Sequence, residues 1–242
     1  MNSLNVRRQE FKYFVNSADL HIIRNSIINL MKLDDYADPV KRKYTVTSLY
    51  FDTRDNCALN EKLDGVLERE KFRIRMYNNN NSLIKLESKK RNGTVISKES
   101  FKINKQLVQK ILKGDFKGGA GAGGAESILF QLKHGGFIPK VIVEYDREAY
   151  YLPWGDIRVT FDTDLRTYGH NTNILNVKDY PNTSVFLDNF QIIEVKFSAA
   201  LPAYIRSALE SVATKRESIS KFVLCQKYSD FSLNRDYLTE AF

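Results

Sequence analysis

Charged residues recur in this sequence at a spacing of two, the period at which side chains share one face of a β-strand. Arg73 and Arg75 stand opposite Phe72, Ile74 and Met76. Lys85, Glu87 and Lys89 alternate with Ile84 and Leu86, and Glu10 shares a parity with Lys12. Arg158 falls with Thr160 and Asp162, opposite Ile157, Val159 and Phe161. Glu194 and Lys196 oppose Ile193, Val195 and Phe197. The chemistry open to such a set is the handling of phosphate oxyanions. Arginine offers a forked donor that matches phosphate oxygens, and lysine offers a compact positive charge. Interleaved carboxylates suit Mg²⁺ or Mn²⁺, which take oxygen ligands and bridge phosphate oxygens. A sheet with one solvated face also alternates polar with apolar residues. The pattern recurs in five strands and uses Arg, Lys and Glu where a plain surface would use Thr, Ser or Gln, which favours a charged interior.

Presenting these faces requires strands, and burying the opposite faces requires helices. Alternation and β-branched or aromatic content predict strands over 6–15, 43–52, 69–77, 83–90, 95–103, 138–152, 157–165 and 190–197. Asn92-Gly93 marks a hairpin turn, and Pro153-Trp154-Gly155 marks another. Asn16 or Ser17 caps a helix on which Leu20, Ile23, Ile27 and Leu30 recur at helical spacing. Further helices are expected over 55–63, 105–113, 127–134, 203–213 and 220–227. The tract 118–125, GGAGAGGA, lacks the Lys-Ser/Thr ending of a phosphate-binding loop and reads as a flexible surface loop. The expected fold is α+β: a closed antiparallel β-barrel of about eight strands, its charged faces inward and helices packed outside. Residues 1–242 read as a single domain.

Composition narrows the partners. The 242 residues carry a formal charge of +8, which suits an anionic partner, and 13 Tyr and 15 Phe favour strands. Cys57 and Cys225 form no CxxC, and His21, His134 and His170 lie far apart, so a zinc site is not expected. Residues 1–10 lack an apolar signal core, and no long apolar run is present; a cytoplasmic protein is expected. Arg7, Arg8, Lys41, Arg42 and Lys43 form small basic clusters that an ordinary solvated surface explains, so no specific nucleic-acid partner is expected.

In order, the charged segments resemble the VTC domain of polyphosphate polymerases, within the triphosphate tunnel metalloenzyme superfamily. Arg8-Gln9-Glu10-Phe11-Lys12 resembles the opening ExExK with Arg8 in place of its first Glu, a departure usual for the VTC branch. Ser48-Leu49-Tyr50-Phe51-Asp52-Thr53 is similar to SLYFDT, Arg73-Ile74-Arg75 to RxR, and Lys85-Leu86-Glu87-Ser88-Lys89 to a KxExK-like strand. Lys98 falls where a further basic tunnel residue is expected. Tyr145-Asp146-Arg147 and the segment beginning Arg158 resemble the paired arginines of a late hairpin. Glu194-Val195-Lys196 is similar to EVK, and Ser220-Lys221-Phe222 to a closing SKF helix. Ser218 stands where the family has another lysine.

The resemblance implies transfer of the terminal phosphoryl group of ATP to a polyphosphate chain, with Mn²⁺ or Mg²⁺. It gives Arg73, Arg75, Arg158 and Glu194 the catalytic roles. Lys12, Lys85, Lys89, Lys98, Arg147, Lys196 and Lys221 would bind substrate. Glu194 would ligate the metal, with Glu10, Glu87 or Glu144 assisting. ATP and polyphosphate are the implied partners, and a membrane-associated partner subunit is compatible with the resemblance. Two alternatives stay open: a metal-dependent triphosphatase acting on inorganic triphosphate or an RNA 5′ end, and a non-catalytic polyphosphate-binding module.

Overall fold

Period-two alternation becomes strand wherever the sequence shows it. The computed structural model describes residues 9–230 except 94, 120, 155, 187–189, 199, 213 and 214. Arg7 and Arg8 lie outside the described residues. In chain order the elements are β1 (Gln9–Val15), α1 (Ser17–Ile27), β2 (Lys32–Leu33), β3 (Tyr44–Asp52), α2 (Cys57–Leu63), β4 (Glu68–Tyr77), β5 (Asn80–Asn92) and β6 (Val95–Ile103). There follow α3 (Lys105–Leu112), α4 (Glu126–His134), β7 (Ile138–Tyr151), β8 (Arg158–Thr167), a 3-10 helix (Ile174–Asp179), β9 (Thr183–Ser184), β10 (Gln191–Phe197), α5 (Ala203–Glu210) and α6 (Lys221–Asp230). No described helix is long and apolar enough to cross a membrane.

The chain is α+β, with strands in the order β1-β10-β8-β7-β3-β4-β5-β6. The expected closed barrel is corrected by this order. Closure needs each strand to have two partners, whereas β1 pairs only with β10 and β6 only with β5 among the described residues. The ladder is open, and most of β6 is exposed.

The chain divides into two compact units. The first comprises Met1–Thr45, Tyr145–Leu165 and Phe186–Ser220. In it α1 begins at Asn16, whose side chain accepts from the Asp19 backbone N–H at 2.8 Å. Leu20, Ile23 and Ile27 face inward, while Leu30 lies beyond the helix end and is exposed, contrary to the helical reading. These residues pack with Val159, Phe161, Ile193, Val195 and Phe197 and with Ile205 and Leu209 of α5. The apolar parity of β8 and β10 is therefore the helix-covered one.

The second unit comprises Val46–Glu144, Arg166–Val185 and Lys221–Phe242. Asn78 and Asn79 both adopt positive φ and make a two-residue turn, so β5 starts at Asn80, earlier than alternation alone suggests. Leu49, Phe51, Phe72, Ile74, Met76, Ile84 and Leu86 form one buried face against Leu107, Val108 and Ile111 of α3 and Ile128, Leu129 and Leu132 of α4. The Gly/Ala tract lies at the surface, with Gly118, Gly119, Gly123 and Gly124 exposed, but two of its alanines reach this core. Ala122 and Ala125 are fully buried in it. Gly123 has φ +57, and a Cβ there would sit 2.2 Å from the Lys102 carbonyl oxygen, so glycine permits the close approach.

Because Ile74 is fully buried between strands and helices, Ile74→Ala is expected to lower the unfolding free energy by about 2–5 kcal/mol. Urea titration followed by circular dichroism checks this.

Candidate functional site

In the second unit the face of β3–β6 opposite the core carries the charges. Register aligns Ser48 with Arg75 and Tyr50 with Arg73, then Arg73 with Glu87 and Arg75 with Lys85, and finally Glu87 with Ser100 and Lys89 with Lys98. Glu87 lies at the centre and is buried. Its Oε2 receives Arg73 Nε at 2.7 Å and lies 3.9 Å from Arg75 Nε. Its Oε1 is 2.6 Å from Lys98 Nζ and accepts from Ser100 Oγ at 3.1 Å. Arg75 Nε donates to Ser48 Oγ at 3.1 Å, and Arg73 Nη1 donates to the Tyr50 hydroxyl at 3.0 Å. Burial alone would raise the Glu87 carboxyl, but Arg73, Arg75 and Lys98 outweigh it and hold that group well below the usual carboxylate range. At Tyr50 burial would raise the phenol, but Arg73, Arg75 and Lys221 outweigh it and lower the group.

Helix α6 closes over this end of the face. The Phe222 ring lies 5.2 Å from that of Tyr50, with Lys71 Nζ 4.8 Å over Phe222. Lys221 is buried beside them. Lys85 is half-buried over Tyr77, and Lys89 is exposed. Asp52 accepts from the backbone N–H groups of Ala58 and Leu59 at 2.8 and 3.1 Å, which anchors α2.

In the first unit the second charged face runs across β1, β10 and β8. Lys12 aligns with Glu194 and Glu194 with Thr160; Glu10 aligns with Lys196 and Lys196 with Arg158. Glu194 meets three cations: Lys12 at 3.7 Å, Lys196 at 3.4 Å and Arg147 at 3.4 Å. Lys12 Nζ also lies 3.1 Å from Glu10 Oε1 and donates to the Ile219 carbonyl at 3.0 Å. Arg147 grips Asp162 through two bonds of 2.6 Å. Burial disfavours its charge, but Asp162 and Glu194 over-compensate and hold it firmly protonated. Arg158 Nη2 reaches Asp34 at 2.5 Å and the Tyr44 hydroxyl at 3.2 Å. Thr160 Oγ1 is buried without a hydrogen-bond partner among the described residues.

The predicted residues thus form two sets, and Glu144 joins neither. It shares its parity with Ile142 of the core, and its carboxylate is taken by Thr47 at 2.6 Å, Arg166 at 2.7 Å and Tyr168 at 2.8 Å. Alternation missed Tyr50, Ser48, Asp34 and the role of Asp162. Tyr50 and Ser48 share the parity of Asp52 in SLYFDT, and that signal was available. Asp34 sits in a loop, where parity carries no information.

Among the described residues no group of three or more His, Cys, Asp or Glu side chains is placed to hold a metal ion. Glu10 and Glu194 flank the Lys12 ammonium as neighbouring oxygen donors. A Mg²⁺-type ion held by one or two carboxylates, with substrate phosphate and water completing its shell, is compatible with them.

A family model described as the VTC domain matches residues 7–229. The chain is similar in structure to HpAC1 of Hippeastrum, an adenylyl cyclase candidate described as having a dominant triphosphatase activity. The identity is 18%, the match covers 90% of this chain and 95% of that one, and the TM-score is 0.54. An adenylate cyclase candidate from Vibrio parahaemolyticus matches at 13% identity, covering 90% and 96%, with TM-score 0.47. A Pyrococcus horikoshii protein matches at 16%, covering 90% and 97%, with TM-score 0.44. None of the curated proteins matches the chain.

Glu87 titrates lower in the folded chain than in the unfolded one, so its ionised form stabilises the fold above the unfolded value and that contribution is lost as pH falls. At pH 7, Glu87→Gln is expected to cost on the order of 3 kcal/mol, because Arg73, Arg75 and Lys98 lose their counter-charge. Measured by urea titration, the difference from wild type should be level from about pH 6 to 8 and shrink below about pH 4. An unchanged difference at pH 3 would refute this reading.

Proposed function

From the chain's membership of the VTC domain family, we propose that it works along its length as one metal-dependent phosphotransferase domain, lengthening polyphosphate from ATP. The observation that carries the reading is the Arg73–Arg75 pair, held by Ser48, Tyr50 and the single carboxylate of Glu87. Phosphoryl transfer needs alignment and charge neutralisation more than covalent help. Arg73 and Arg75 clamp oxygens of the transferred group, and Lys98, Lys89, Lys85 and Lys221 add positive potential. Arg147 and Arg158 are the corresponding cations of the first unit, with Lys12 and Lys196. A terminal phosphate oxygen of the acceptor chain attacks the γ-phosphorus of ATP, the bridge to the β-phosphate breaks, and ADP leaves. No protein nucleophile is required. Glu194, assisted by Glu10, would hold Mn²⁺ or Mg²⁺ in the first unit, which when bound supplies charge neutralisation to phosphate oxygens.

Hydrolysis of triphosphate is the second reading, favoured by the triphosphatase activity described for HpAC1. A water-activating two-metal site calls for more carboxylates than Glu10 and Glu194 provide. Incubation of the purified protein with ATP and Mn²⁺, followed by gel analysis, separates the readings. Long anionic polymer is expected. Free phosphate without polymer would support hydrolysis, and retained polyphosphate affinity without either product would support a binding module. Arg75→Ala is expected to reduce polymer formation by at least about 10²-fold, with its melting temperature recorded alongside.

A further inference from the structure

The charged face of β4–β6 continues past Arg73 towards the Asn92-Gly93 turn. Register sets Lys71 opposite Lys89, and next sets Arg69 directly opposite Arg91. Like charges in directly opposed positions repel. Neither arginine forms a salt bridge among the described residues, unlike Arg73 and Arg75 beside Glu87. Each spends one N–H on the turn that frames it: Arg69 Nη1 donates to the Val66 carbonyl at 2.5 Å and Arg91 Nε to the Gly93 carbonyl at 2.8 Å. Both are half-buried, and the other nitrogens of the two forks remain for an anion. Burial and the adjacent Arg91 lower the Arg69 guanidinium, only partly opposed by Glu61. Such a pair is costly alone and relieved by a shared phosphate.

We propose that Arg69 and Arg91 form an outer phosphate subsite, which engages a linear polyphosphate longer than a triphosphate. This rests on the reading that Arg73 and Arg75 bind phosphate. The outer pair lies four residues along the strand from Arg73, roughly 13 Å, beyond a triphosphate clamped between Arg73 and Arg75. Lys71, Lys89 and Lys98 occupy the row between them. A single-stranded RNA would want aromatic platforms for its bases, whereas the exposed large apolar side chains described at this end include the aliphatic Val66, Leu67, Val95 and Ile96.

The test compares tripolyphosphate with long-chain polyphosphate by calorimetry, on wild type, Arg69→Gln/Arg91→Gln and a control, Lys105→Gln/Lys113→Gln. The outer double variant should weaken long-chain binding by about tenfold and leave tripolyphosphate binding within about twofold, a span well below one charge-assisted hydrogen bond. The control should change neither. An equal loss for both ligands, no loss for the long chain, or a matching loss in the control overturns the subsite. So does a 5′-triphosphorylated RNA oligonucleotide that loses affinity in the double variant while polyphosphate does not. Wild type binding neither polyphosphate defeats the underlying functional reading as well, a different result from binding both equally. Should the double variant fail to fold, wild type decides: the salt dependence of long-chain binding should exceed that of tripolyphosphate by a slope of about two. Equal slopes refute the subsite.

Discussion

Two side chains separated by one residue on a strand must share a face, and the protein is organised by which face its helices cover. In the second unit α3 and α4 cover the parity of Phe72, Ile74, Met76 and Leu86. In the first unit α1 and α5 cover that of Val159, Phe161, Ile193 and Val195. Once those apolar faces are buried, Arg73, Arg75 and Glu87, and likewise Lys12 and Glu194, have no freedom to turn away. The positions of the charged groups follow from the hydrophobic effect acting on their neighbours.

Crowding cations onto a sheet is unfavourable without counter-charge. The two faces resolve this with carboxylates among the cations: Glu87 in the second unit, and Glu194 with Asp162 and Glu10 in the first. Glu87 gathers Arg73, Arg75 and Lys98, and Glu194 gathers Lys12, Lys196 and Arg147. Around Glu87 the cations outnumber the acid, whereas in the first unit Asp162, Glu10 and Asp34 share with Glu194 the holding of Arg147, Lys12 and Arg158. The side chains around Glu87 are thus held in orientation, with positive charge still unneutralised. Such preorganisation avoids reorganising dipoles at the moment of reaction. Tyr50 and Ser48 extend it, since each fixes a guanidinium through a neutral oxygen and leaves its charge intact.

Parity made much of this visible in the sequence. The facing of Arg73, Arg75, Glu87, Glu194 and Lys196 follows from flanking apolar residues, and the structure agrees. Three features were not legible for physical reasons. Closure of a sheet depends on stagger and on partners for the end strands, and no local pattern encodes either; the ladder here ends at β1 and β6. The Gly/Ala tract has the composition of a flexible loop, yet Ala122 and Ala125 are core residues and Gly123 lets the chain approach Lys102. Its low side-chain volume serves close packing, and composition cannot distinguish the two uses. Asp34 meets Arg158 from a loop, where alternation says nothing.

Glu144 shows that facing, not residue type, separates a carboxylate on the charged face from one in the core. Glu87 and Glu144 are equally buried, each meets at least one arginine and one hydroxyl, and both come from strands of the same ladder. Around Glu87 the partners are cations with donors to spare. Around Glu144 two of the partners, Thr47 and Tyr168, are neutral hydroxyls that saturate it, and only Arg166 is charged. Burial and the Glu144 carboxylate push the Tyr168 phenol up to about 12, so it stays a donor throughout the physiological range. A satisfied acid on the helix-covered side orders a core. An outnumbered acid on the opposite side keeps cations apart and aimed, and leaves part of their charge unneutralised.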